Sequence, residues 1–286
     1  MRSALRGLLR SSLISLDPAV VKRIRQLGFT VADATLVDGP DAITPQRGRE
    51  IRSVFQAEGV DLFSLWVSPT NFIADDLSIR QNSIATALRA IKVGAALGCT
   101  GVAFGVGSHN PRGNWYSHPR NHALETQEVL ATSLREVCKS AEDHGLYIAL
   151  EPHILTAMDS PRRFLAVHRL VASPSLRITL DSTNFLTCET AYRSGEALTE
   201  QFDLLHDYIL DGHCKDMAFE DKLLIYINSR VYPGDGIVDY PTFVKLMNGL
   251  PPRTPLYIEH VPEPDVPRVK AFLDKVVSEA GITWVQ

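Results

Sequence analysis

The 286-residue chain is short of everything that would tie it to an oxidising or membrane setting. Its four cysteines, Cys99, Cys138, Cys188 and Cys214, form no Cys-x-x-Cys pair, and no Asn-x-Ser/Thr sequon occurs, which argues against a structural zinc finger and against secretion. No uncharged apolar run approaches the ~20 residues needed to cross a bilayer, so no membrane partner is expected. Excess positive charge is missing as well. Lys and Arg total 29 against 33 acids, a formal charge of −4, which leaves little drive toward a nucleic-acid backbone. No proline- or serine-rich linker divides the chain, and Gly105-Val106-Gly107 lacks the third glycine of a dinucleotide-binding turn. A single cytoplasmic domain spanning residues 1–286 is the expectation.

Present instead is an alternation of short apolar runs with helix-length amphipathic stretches. Strands are predicted at Thr30–Leu36, Asp61–Val67, Gly101–Val106, Leu146–Glu151, Leu176–Asp181, Ile209–His213 and Leu256–Glu259. Helices are predicted between them, as at Asp17–Leu27, Pro45–Glu58, Ile79–Leu97 and Thr126–His144. Four helices run into a glycine (Gly28, Gly59, Gly98, Gly145), where a left-handed cap turns the chain back toward the next strand. The N-terminus carries Arg2, Arg6 and Arg10 with no acid before Asp17, a composition with a mild likeness to a transit peptide. Read as structure, it gives a weak first strand near Gly7–Ser12, leading into a helix opened by Asp17 and Pro18. That makes eight strand–helix units, the number of a closed (β/α)₈ TIM barrel, an α/β fold, with an open doubly wound sheet as the alternative.

Parallel barrel strands direct their C-terminal residues into one shared mouth. Four successive runs end on an acid or a histidine: Tyr147-Ile-Ala-Leu-Glu151, Ile178-Thr-Leu-Asp181, Leu210-Asp-Gly-His213 and Tyr257-Ile-Glu259. They fall 30, 32 and 46 residues apart (151 to 181, 181 to 213, 213 to 259), about one unit plus a variable loop. Three carboxylates meeting there repel unless a cation neutralises them. Glu151, Asp181, His213 and Glu259 are therefore candidate ligands for one divalent metal, and this oxygen-rich set suits Mn²⁺, Mg²⁺, Co²⁺ or Zn²⁺. Cys214 points to the opposite face of its strand and reads as a packed thiol.

The ordered stretches Leu-Gly-Phe (27–29), Ala-Leu-Glu-Pro-His (149–153), Thr-Leu-Asp (179–181), His-Cys-Lys-Asp (213–216), Pro-Gly-Asp-Gly (233–236) and Ile-Glu-His (258–260) resemble the xylose isomerase-like barrel superfamily from about residue 13 onward. The resemblance implies one divalent ion, Mn²⁺ foremost, on those four residues. It also implies that Glu151 and Glu259 are the catalytic acid/base pair of a sugar isomerase or epimerase. The chemistry is consistent: a metal chelating a carbonyl and its neighbouring hydroxyl acidifies the C–H between them and stabilises the enediolate left behind. The superfamily's nucleases carry further histidines that this chain lacks, with Asn184 three residues after Asp181, so nucleic acid is not an expected partner. Asn184 stands where the resemblance implies a substrate-contacting histidine and is itself a candidate substrate contact; it, and Ala157 in place of a further glutamate, also depart from the ketose 3-epimerase pattern. A metal-dependent lyase of a keto-sugar acid or keto-glycoside is thus the second reading, and a non-catalytic barrel subunit a remote third.

Candidate substrate contacts follow. His153 lies two residues past Glu151, and Lys215 two past His213, each on its predecessor's side if the strand continues. Asp216 either orients Lys215 or opens the next helix. Arg230 resembles a substrate-contacting arginine, and its planar fork would suit an acidic sugar or keto acid. The long Gly105–Arg120 segment, with His109 and Trp115, is expected to close over a small carbohydrate substrate, while Trp66 walls the pocket or packs in the core. A homodimer or homotetramer is expected from the resemblance.

Overall fold

The computed structural model describes residues 1–219, the backbone of 227–228, and residues 231–285. Ten strands appear in it: β1 (Arg2–Leu5), β2 (Val31–Thr35), β3 (Asp61–Val67), β4 (Gly101–Gly105), β5 (Tyr147–Glu151), β6 (Leu176–Leu180), β7 (Ile209–Cys214), β8 (Ala218–Phe219), β9 (Ile227–Asn228) and β10 (Pro255–Ile258). Eight of them close a parallel barrel in the order β1-β10-β7-β6-β5-β4-β3-β2, and β8 and β9 form a small antiparallel pair outside it. The helices are α1 (Pro18–Gln26), α2 (Pro45–Ala57), α3 (Leu77–Leu97), α4 (Leu124–Asp143), α5 (Pro161–Val171), α6 (Ser194–Leu205), α7 (Tyr240–Asn248) and α8 (Val266–Glu279). The closed (β/α)₈ barrel is the architecture expected from the sequence, and none of its described helices is long and apolar enough to cross a membrane.

Local chemistry explains the boundaries. Asp17, Thr44, Asp76 and Ser160 each cap a helix by accepting a backbone N–H within its first turn. The predicted glycine caps have positive φ, for instance +88° at Gly28 and +76° at Gly98, a region that side-chain-bearing residues rarely occupy.

The first strand is a correction: it is Arg2–Leu5, not Gly7–Ser12. A charged second residue hid it, yet Arg2 is buried there, bonded to Asp61 Oδ2 at 2.7 Å and lying over the Phe63 ring. Residues 6–13 instead cross the barrel mouth. The Arg6 amide donates to the Ile258 carbonyl, Leu9 accepts from Thr35, and Leu13 donates to Asp38.

The barrel interior is plugged by Ala4, Val31, Phe63, Ala103, Ala149, Leu210 and Tyr257. Two residues beyond Ala4, Val31, Ala149 and Tyr257 stand Arg6, Asp33, Glu151 and Glu259. Because side chains repeat with period two along a strand, the layer above the plug is charged. The fold thereby sets a polar site on an apolar floor at the C-terminal end of the strands.

Candidate active site

Glu151, Asp181, His213 and Glu259 are all buried, and each offers one ligand-type atom within 4.8 Å of the other three. Strand ends bring them together. Asp181 closes β6 and also accepts the Thr183 amide at 3.1 Å, starting a short 3₁₀ turn over Ser182–Phe185. That turn carries Asn184 back to Glu151, where its Nδ2 reaches Glu151 Oε1 at 3.4 Å and the Pro152 carbonyl at 3.2 Å. Lys215 Nζ donates to Asp181 Oδ2 at 2.8 Å and to Asn184 Oδ1 at 3.0 Å, tying the three expected site residues into one network.

Three further charged residues belong to this layer and were not singled out from sequence. Arg6 Nε lies 3.4 Å from both Asp33 Oδ2 and Glu259 Oε2, its Nη1 is 3.2 Å from His213 Nε2, and its guanidinium stacks 4.5 Å above the Trp66 ring. Asp33 and Asp211 are also buried. For Asp211 a signal existed, since it lies two residues before His213 on the same strand.

Charge counting tests whether a cation fits. Five buried carboxylates (Asp33, Glu151, Asp181, Asp211, Glu259) face three basic groups, Arg6, Lys215 and His213, so acids outnumber bases by two even with His213 protonated. His213 Nδ1 and Glu259 Oε1, moreover, have no hydrogen-bond partner among the described residues, although His213 Nδ1 lies 3.2 Å from Glu259 Oε2. Two orphaned ligand-type atoms in a tight, over-negative cluster fit a divalent ion.

The proton affinities are split in the ion-free cluster. Burial, and then repulsion from Glu259, pushes the Glu151 carboxyl up to about 6. Burial would likewise raise Glu259, but His213 and Arg6 hold it well below the usual carboxylate range. His213 is lifted to about 9, because the attraction of Glu259 outweighs its burial. A metal must displace those protons, so its affinity is expected to fall as pH drops from 9 through 6, by about tenfold per unit for each proton displaced. Calorimetric Mn²⁺ titrations in buffers of different ionisation enthalpy check this, and binding at pH 7 without proton release contradicts it.

A cavity of about 530 Å³ opens above the cluster, bounded by Trp66, Trp115, His153, Asn184, Lys215 and His260 together with Arg6 and Arg10. His153 Nδ1 accepts the Leu155 amide, and its ring meets Trp115 edge-on at 6.3 Å. Trp115 leans from the β4–α4 loop against Gly105, where an added Cβ would sit 3.0 Å from the indole.

Two expectations are corrected. His109 does not reach this cavity: Asp75 and Thr126 engage both ring nitrogens, and it lines a separate cavity of about 620 Å³ between the β3–α3 and β4–α4 loops. Asp216 neither orients Lys215 nor opens a helix. It accepts the amides of Met217, Gly234, Gly236 and Val238, pinning the Pro-Gly-Asp-Gly turn against β7. Arg230 lies outside the described residues.

Comparison with known proteins agrees with this architecture. The sequence model of the xylose isomerase-like TIM barrel family matches residues 21–276. The chain belongs to that family. Among solved members of similar fold are D-psicose 3-epimerase from Clostridium cellulolyticum H10, at 14% identity and TM-score 0.73 over 98% of both chains. Another is a xylose isomerase-like TIM barrel protein from Mycobacterium smegmatis in complex with magnesium, at 18% identity and TM-score 0.72 over 98% of this chain and 97% of that one. At the sequence level the chain is similar to a 3-dehydroshikimate dehydratase from Bacillus anthracis, 28% identical over 112 residues, a stretch covering 39% of this chain and 38% of that enzyme. Sugar epimerases and a dehydratase thus share the xylose isomerase-like scaffold on which this site is built.

Proposed function

We propose that this barrel is a divalent-metal-dependent enzyme that moves a proton at the carbon beside a carbonyl group, acting as an isomerase or epimerase on a small sugar, keto-sugar or sugar acid. One observation carries the reading: Glu151, at the end of β5, and Glu259, just past β10, are buried in the same four-residue cluster below the cavity, so a bound substrate can be reached by a carboxylate from each of two strands, an arrangement suited to an acid/base pair. A divalent ion held by Glu151, Asp181, His213 and Glu259, with Mn²⁺ the first choice, supplies the Lewis acidity that makes the substrate C–H acidic. Glu259 takes the proton. Glu151 returns one from the β5 side. Lys215 and Asn184 hold substrate oxygens, His153 and Trp115 close the cavity, and the buried floor keeps water from the carbanion.

A second reading, a lyase that expels water after the same proton abstraction, has its own support. The ring of His153 faces the cavity beside Glu151 with Nε2 unengaged among the described residues, in position to donate a hydrogen bond to a departing hydroxyl. The similarity to 3-dehydroshikimate dehydratase favours it too, and makes 3-dehydroshikimate a substrate to try. Incubating Mn²⁺-loaded protein in D₂O with ketoses, keto-sugar acids and 3-dehydroshikimate distinguishes the two by proton NMR and product mass. Deuterium at the α-carbon of an isomeric product supports epimerisation or isomerisation; loss of water supports the lyase. Neither exchange nor loss of water with any of these substrates, from metal-replete protein, contradicts both.

A further inference from the structure

The ionisable side chains that line the cavity divide into a floor and a rim. Glu151 and Glu259 lie on the floor with Arg6 and Lys215 among them, whereas Arg10 and His260 are exposed. Arg6 is already engaged by Asp33 and Glu259, and Lys215 by Asp181. Arg10 differs. It is exposed, lines the cavity, and has no carboxylate within ion-pair distance among the described residues.

Its placement is built by the chain. Gly7 adopts φ +104°, a conformation glycine supplies, and the turn folds Arg10 back so that its guanidinium lies flat over Gly7. A Cβ at Gly7 would sit 3.2 Å from Arg10 Nη2 and 3.4 Å from Nε. The turn is fixed on both sides, by Arg6 N–H to the Ile258 carbonyl and by Thr35 N–H to the Leu9 carbonyl. A planar fork of donors thus stands at the mouth of a cavity whose carboxylates lie below.

We propose that Arg10 is the specificity-determining residue of the site and binds a carboxylate on the substrate, so that the enzyme takes a sugar acid or a keto acid and not a neutral sugar. The inference rests on the enzymatic reading above and narrows its substrate class. A guanidinium pairs with a carboxylate through two parallel N–H···O bonds, which both anchors the ligand and fixes its orientation over the floor. The carboxylate end then sits at the rim, and the carbonyl and hydroxyl end points down toward Glu151 and Glu259.

The test is calorimetric titration of wild-type, Arg10→Gln and Arg10→Lys proteins, with and without Mn²⁺, using two acid/neutral pairs: shikimate with methyl shikimate, and D-glucuronate with D-glucose. In wild type at least one acid should bind about 10–100-fold more tightly than its neutral partner, the worth of one charge-assisted contact. The preference should vanish in Arg10→Gln and return in part in Arg10→Lys, while all three proteins bind Mn²⁺ equally. Absence of acid binding, absence of preference in both pairs, or a preference that survives Arg10→Gln overturns the proposal. Tighter binding of D-glucose 6-phosphate than of either acid also overturns it, by giving the site to phosphate. Failure of Mn²⁺ to bind while the acid preference persists counts against the metal-enzyme reading and leaves the role of Arg10 standing.

Discussion

Glu259→Gln is expected to lower kcat by about 10²–10⁴-fold, the usual contribution of a positioned acid or base, with the barrel still folded. The substitution keeps the side chain's shape and removes its charge and its ability to take a proton. The loss should exceed what metal depletion of the site explains. Saturating Mn²⁺ restores occupancy in a weakened four-ligand site but cannot restore a base. Measuring kcat against Mn²⁺ concentration separates the two effects, alongside far-UV circular dichroism to verify the fold. Recovery of wild-type kcat at high Mn²⁺ would show that Glu259 only holds metal. Glu151→Gln makes a useful companion, because removing the proton-returning group instead should leave α-proton exchange with solvent faster than product formation.

Arg6→Met has the largest expected effect on stability. The methionine still covers Trp66, but Asp33, Glu151 and Glu259 lose the cation that lies between them. Leaving buried charge uncompensated costs about 3–5 kcal/mol, and here the guanidinium is largely shielded from solvent. Urea denaturation in EDTA should register this as a lower midpoint with an unchanged slope. Adding Mn²⁺ should stabilise the variant more than it stabilises wild type, since the cluster is then more negative. An unaltered midpoint in EDTA would mean that the carboxylates accept protons at little cost, and that Arg6 contributes little to their balance.

What could be read from sequence and what could not divide along physical lines. Strands two to eight of the barrel were legible within a residue or two because each is an apolar run, the first four of them preceded by a helix that ends in a glycine and the last four closed by an acid or a histidine. The four candidate ligands were legible for the same reason: each terminates such a run. The first strand was not, since Arg2 looks like a surface residue until Asp61 and Phe63 close around it, partners 59 and 61 positions away in the chain. Asp33 sits inside Val-Ala-Asp-Ala-Thr, and alternation cannot tell a barrel's inner face from a solvent face. Arg6 was hidden by company, as one of three arginines in a serine-bearing N-terminus, and its role depends on a strand more than 250 residues later. His109 erred in the opposite direction: loop histidines beside tryptophan suggest a substrate contact, but Asp75 and Thr126 were already there to engage it.

The pairing of β1 with β10 also dictates an order of events in time. Arg2 through Leu5 are synthesised about 250 residues before their hydrogen-bonding edge on that side, Pro255 through Ile258. Until then the nascent barrel is an unsealed sheet, and Arg6 lacks the Glu259 carboxylate that it will face. The largest loop closure in the molecule and the completion of its charged cluster are therefore a single late step. A ribosome-bound chain halted before residue 255 should hold neither the seam nor the full cation site, and the barrel becomes competent to bind metal only when β1 and β10 meet.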